Sequence, residues 1–104
     1  MKIVIAGGGE VGFHLAKLLS FESLDITLID IDKESLNYAE SHLDIKTLRG
    51  NALSIAMLKD ALVENASLFI AVTSLEATNI TLACIAKQMG AQRTIARISN
   101  LEFR

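Results

Sequence analysis

The glycine distribution constrains this 104-residue chain more than any other feature: four of its six glycines fall between Gly7 and Gly12, and it has no proline. Just before them Lys2–Ala6 is a short run rich in β-branched residues. Just after them Val11, Leu15, Leu18 and Leu19 are apolar at helical spacing. A strand therefore has to turn sharply into a helix across Gly7-Gly8-Gly9-Glu10-Val11-Gly12, a match to G-x-G-x-x-G. In that pattern the first glycine permits the tight turn, the second lets a pyrophosphate approach the backbone, and the third lets the helix pack closely. A helix starting there aims free N–H groups and its positive dipole end at the turn, so an anion belongs in it. The motif alone also describes a glycine-rich turn with no ligand.

Asp30 adds the second signal. It stands eighteen residues beyond Gly12, at the C-terminal end of a second strand-like run over residues 25–29. In a βαβ unit that strand end lies beside the glycine loop, where a carboxylate can accept both hydroxyls of an adenosine ribose. Asp32, two residues on, is placed to cap the next helix, Lys33–His42. A carboxylate at Asp30 also repels a 2′-phosphate by about 1 to 4 kcal/mol at 4 Å, which favours NAD(H) over NADP(H).

The remaining sequence repeats the alternation. Strands are expected over residues 44–48, 68–72 and 94–98, with helices from the cap Ser54 to Leu62 and over residues 77–89, the latter closed by Gly90. The run at 68–72 is apolar throughout, as suits the centre of a parallel sheet buried on both faces. Five strands joined by right-handed crossovers predict a single-domain α/β fold, a Rossmann-like doubly wound parallel sheet in the order 3-2-1-4-5. Ser99 or Asn100 could cap a further helix carrying Leu101 and Phe103, so the chain is expected to be a fragment cut at its C-terminal end.

Composition narrows the function classes. A formal charge of −2 with scattered lysines and arginines gives no basic field for a nucleic-acid backbone. No apolar run approaches the roughly 18 residues that span a bilayer. The single cysteine, Cys84, excludes an intrachain disulfide and fits a reducing cytoplasm. Cys84 sits among apolar residues and is expected to act as a small core hydrophobe, not a nucleophile. His14 and His42 fall on different helices without metal-ligand spacing, so neither a catalytic residue nor a metal site is expected. Met57 and Met89 suit core packing or a subunit contact. The helix over 77–89 is apolar enough that a second subunit could cover one of its faces.

Beyond the loop, the whole chain resembles the N-terminal domain of Trk-type potassium-uptake regulators, the RCK or KTN nucleotide-binding family. The residues that carry the resemblance are Ile3-Val4-Ile5-Ala6-Gly7-Gly8-Gly9-Glu10-Val11-Gly12, Leu28-Ile29-Asp30-Ile31-Asp32, Gly50-Asn51-Ala52, Ile70-Ala71-Val72-Thr73, Glu76-Ala77-Thr78-Asn79 and Thr94-Ile95-Ala96-Arg97. The resemblance implies that Gly7, Gly9, Glu10, Val11 and Gly12 form the phosphate loop and that Asp30 binds the adenosine ribose. It further implies that Asn51 and Ala52 flank the adenine, that Thr73 and Ser74 lie near the phosphates or second ribose, and that Arg97 reaches a phosphate. Members of this family accept NAD, NADH, ADP and ATP in differing order. Some relatives that respond to ATP carry arginine within the glycine loop, where this chain has Glu10, which favours NAD(H), with ADP or ATP as further ligands of the same site.

By the same resemblance the function is regulatory, not enzymatic. A cytoplasmic homodimer or homotetramer, peripheral to the inner face of the cell membrane, gates a potassium-translocating membrane subunit through nucleotide binding. The rival from another class is the cofactor-binding half of an NAD-dependent oxidoreductase. It lacks support from a catalytic Tyr-Lys or His-carboxylate pair, and Tyr38, the sole tyrosine, falls on the second helix away from the expected cofactor face. A methyltransferase ranks behind both on the downstream motifs.

Overall fold

The computed structural model describes residues 1–98. The helix expected after Ser99 or Asn100 lies outside the described residues. Five strands, β1 (Lys2–Ala6), β2 (Asp25–Asp30), β3 (Lys46–Arg49), β4 (Leu68–Ala71) and β5 (Arg93–Ala96), form one sheet in the order β3-β2-β1-β4-β5. Every pairing is parallel, so the expected α/β topology is the observed one.

Four helices, α1 (Glu10–Ser20), α2 (Lys33–His42), α3 (Ile55–Asp60) and α4 (Glu76–Met89), supply the crossovers. Alternation along β1 divides the core into two layers. Ile3 and Ile5 face α1 and α2 with Ala16, Leu36 and Ala39, whereas Val4 and Ala6 face α3 and α4 with Leu58, Leu82 and Ala86. Strands buried on both faces need an apolar residue at every position, which is why β1 and β4 read as continuous apolar runs.

The helix starts follow local chemistry. Asp32 caps α2, its carboxylate accepting from the Glu34 N–H at 3.2 Å and the Ser35 hydroxyl at 2.7 Å. Ser54 caps α3 by accepting from the Met57 N–H at 3.3 Å. Gly90 closes α4 at φ 126°, a conformation that a side chain would strain.

Several expectations shift in detail, among them β5, which runs over Arg93–Ala96 instead of 94–98. Helix α3 ends at Asp60, short of Leu62, because Leu62 itself turns left-handed at φ 59° before a 3-10 turn over Val63–Asn65. Strand β3 begins two residues later than its apolar pattern suggested, its register being set by β2, where Asp30 lies opposite Arg49. Cys84 is exposed, not buried, since Leu82 and Ala86 turn the packed face of α4 to the sheet and leave Ile80 and Cys84 outside. Met57 and Met89 both pack against the core layer beneath α3 and α4.

Candidate functional site

The carboxyl ends of β1, β2 and β4 open into one cleft of about 660 Å³. It lies where β1 has β2 and β4 as its neighbours, the point at which the strand order reverses. Crevices at such a reversal are the ligand sites of open α/β sheets.

Gly7 and Gly12 answer separate steric demands. Gly7 sits at φ 116°, and a Cβ there would come within 2.8 Å of the Val72 carbonyl carbon. A Cβ on Gly12 would stand 1.7 Å from the Gly7 carbonyl oxygen, so α1 reaches the loop only without a side chain at that position. Gly9 is different: a Cβ would meet nothing within 4 Å, and its φ of −72° suits any residue. The protein's own packing does not require Gly9. The space beside it belongs to the cleft.

Gly9 is also the N-cap of α1 and offers no side-chain cap. The first N–H groups of an eleven-residue helix therefore meet the cleft without an acceptor from a capping side chain. Glu10 and Val11 line the cleft there.

Asp30 faces them from the end of β2. One carboxylate oxygen accepts the buried Gly8 N–H, and the other accepts the Asp32 N–H at 2.8 Å. Two backbone bonds fix the carboxylate while each oxygen keeps acceptor capacity for a further donor. Asp32 is acidic beyond the ordinary carboxylate range because the Ser35 hydroxyl and the Glu34 N–H donate to it.

On the β3 side, Asn51 closes an Asx turn, its side-chain oxygen accepting from the Leu53 N–H at 2.9 Å. Asn51 and Ala52 line the cleft. On the β4 side Thr73 and Ser74 line it, joined by Thr78 of α4. The Thr73 hydroxyl is engaged within the protein, 2.6 Å from the side-chain oxygen of Asn79. Arg97, just past β5, also lines the cleft, and its exposed guanidinium makes no hydrogen bond or ion pair among the described residues. All eleven residues anticipated from the sequence border this one cleft, except Gly12, which lies buried beneath the loop.

Two residues were given no role in the site by the sequence reading. Arg49 lies opposite Asp30 in register and donates from Nε to the Ile31 carbonyl at 3.3 Å, so a cation stands beside the Asp30 end of the cleft. Pairing of β2 with β3, not sequence distance, brings it there. Asn79, 1% exposed, ties Thr73 to Arg97. A polar residue within an apolar helical stripe was the available signal. Tyr38 packs on Phe13 and His42 and borders a second groove, on the Gly8–His14 side of the loop. No group of three His, Cys, Asp or Glu among the described residues is placed to hold a metal ion.

A family model described as the TrkA-N domain matches residues 3–104. The Trk system potassium uptake protein TrkA homolog of Archaeoglobus fulgidus is 41% identical over 103 residues, covering 99% of this chain and 23% of that protein. The chain thus spans about a quarter of that relative's length. Among solved structures, the Shewanella denitrificans Kef CTD in AMP bound form superposes with a TM-score of 0.75 at 22% identity, covering 91% of this chain and 57% of that one. The TrkA-N domain of the Escherichia coli inner membrane protein ybaL gives 0.67 at 14% identity, covering 91% and 86%. At those identities the two structures speak for the fold alone.

Proposed function

This chain belongs to the TrkA-N domain family, and from that premise we propose that it is the nucleotide-sensing part of a Trk-type potassium-uptake regulator, with binding rather than turnover as its task. One observation carries the reading: Gly9, bare toward open space, and Asp30, held by two backbone N–H groups, border the same cleft. A pyrophosphate over Gly9 takes the N–H groups that open α1, and the adenosine ribose donates its hydroxyls to Asp30.

The other lining residues take the remaining parts of a dinucleotide. Asn51, its oxygen committed to Leu53, offers its amide donor to the adenine beside Ala52. Ser74 and the Thr73 backbone lie toward the second ribose and phosphates, where Arg97 supplies a cation. Asp30 disfavours a 2′-phosphate and Glu10 a terminal phosphate, so NAD(H) is the preferred ligand and ADP or ATP bind the same site more weakly. The AMP carried by the Kef neighbour supports an adenine nucleotide in a fold of this shape.

The name of the archaeal relative supports a role in potassium uptake. In the complete regulator, a cytoplasmic homodimer or homotetramer docks on the inner face of a potassium-translocating membrane subunit, and nucleotide exchange gates it. Gating requires that nucleotides bind the two states of the assembly with different affinity, since equal affinity shifts nothing. Among the described residues no helix is long and apolar enough to cross a membrane.

Calorimetric titration of the chain with NAD, NADH, NADP, ADP and ATP, repeated with Asp30→Ala, tests the reading. NAD or NADH should bind, NADP more weakly, and Asp30→Ala should bind neither dinucleotide well. No binding of any adenine nucleotide overturns it, and hydride transfer to a small substrate would favour an oxidoreductase instead.

A further inference from the structure

Strands β4 and β5 pair from Leu68↔Arg93 to Ala71↔Ala96, and one step further Arg97 donates to the Ala71 carbonyl at 2.9 Å. In a regular parallel ladder the next bond would run from the Thr73 N–H to the Arg97 carbonyl. Here the Asn79 side chain stands between them. Its Oδ1 accepts from the Thr73 N–H at 2.8 Å and lies 2.6 Å from the Thr73 hydroxyl, while its Nδ2 donates to the Thr73 carbonyl and to the Arg97 carbonyl, both at 3.0 Å. The amide uses both donors and both acceptor positions, and the side chain is buried. Turning the amide over would set oxygen against two carbonyls, so the network fixes its orientation.

Taking the nucleotide reading above as its basis, we propose that Asn79 is the positioning residue of the cleft's second half, acting as an inserted peptide unit that holds Thr73 and Arg97 apart and sets the width of the site between them. The adenosine half, at Asp30, Asn51 and Ala52, is built on β2 and the loop after β3 and shares no hydrogen bond with this network among the described residues. A ligand confined to that half does not depend on Asn79. A dinucleotide that reaches Thr73, Ser74 and Arg97 does. Because Asn79 is anchored on α4, filling the second half also presses on that helix.

Asn79→Asp is the direct test, since it keeps the size and both acceptor contacts but turns an acceptor toward two carbonyls. The affinity of the variant for AMP should stay within about twofold of wild type, and its affinity for NAD should fall at least about tenfold. Equal weakening of both ligands, or no change in either, overturns the proposal. A measurement on the wild-type chain keeps the test independent of the variant's folding: the Asn79 Nδ2 proton resonances should move on adding NAD and stay in place on adding AMP. If both ligands move them alike, or neither does, the proposal fails. If the wild-type chain binds neither AMP nor NAD, the nucleotide reading itself falls, and this proposal with it.

Discussion

The carboxylate of Asp30 accepts the backbone N–H of Gly8, fastening the end of β2 to the middle of the glycine loop. The two parts of the site that the sequence separates by more than twenty residues are thus one hydrogen-bonded unit. The carboxylate proposed to hold the ribose is also one that ties the loop to the sheet.

Asp30→Ala removes the acceptor for the buried Gly8 N–H, and a buried unsatisfied donor costs about 1 to 3 kcal/mol. The variant should therefore unfold at lower denaturant concentration, and its dinucleotide affinity should fall about tenfold or more through loss of the charged acceptor. Urea denaturation with parallel titration checks both effects.

The glycines separate stability from binding. Gly12→Ala drives a Cβ into the Gly7 carbonyl and should cost more than about 3 kcal/mol, or prevent folding. Gly9→Ala meets no protein atom and should leave the melting temperature within a few degrees of wild type. Its methyl group occupies the space assigned to the pyrophosphate, so NAD affinity should drop about tenfold or more. Normal NAD binding by Gly9→Ala would remove the ligand from the loop.

On the proposed reading, Arg49 beside Asp30 is a second determinant of the choice between dinucleotides. Asp30→Ser should narrow the preference for NAD over NADP by about tenfold, as the like-charge repulsion goes and Arg49 stays beside the vacated position. Adding Arg49→Ala should restore part of that preference by weakening NADP. Competition titrations on the single and double variants read the coupling.

Far from the cleft, Asp25 receives a hydrogen bond from Lys2 at 2.8 Å, which holds its carboxyl below the usual carboxylate range, with Lys46 at 3.8 Å adding to the effect. A carboxylate lowered in the folded state binds fewer protons there than when unfolded. Its contribution is present above about pH 4 and is lost as pH falls through the folded value. Asp25 is exposed, so the gain should not exceed about 1 kcal/mol. Asp25→Asn should be slightly less stable than wild type at neutral pH and equal to it near pH 2, as urea midpoints across that range would show.

What the sequence made legible is what the backbone alone dictates. Gly7 and Gly12 announce the turn because no other residue fits there, and the apolar runs of β1 and β4 announce a sheet covered on both faces. Asp32 and Ser54 stand as helix caps because short polar side chains satisfy helix N–H groups within a few residues of sequence. Arg49 and Asn79 were not legible in this way. Arg49 matters through the pairing of β2 with β3, and Asn79 through the gap between β4 and β5, neither of which has a periodicity. Cys84 was misjudged because an apolar helix does not reveal which of its faces meets the sheet.

Titration of the ¹⁵N-labelled chain with NAD, following every backbone amide, tests the central claim most directly. The account predicts saturable shifts at Gly8, Gly9, Glu10, Val11, Asp30, Asn51, Ala52, Thr73 and Ser74, with the β3-side helix α3 and the outer face of α2 unmoved. An unchanged spectrum at saturating NAD, or shifts confined to the groove beside Phe13 and Tyr38, would contradict it.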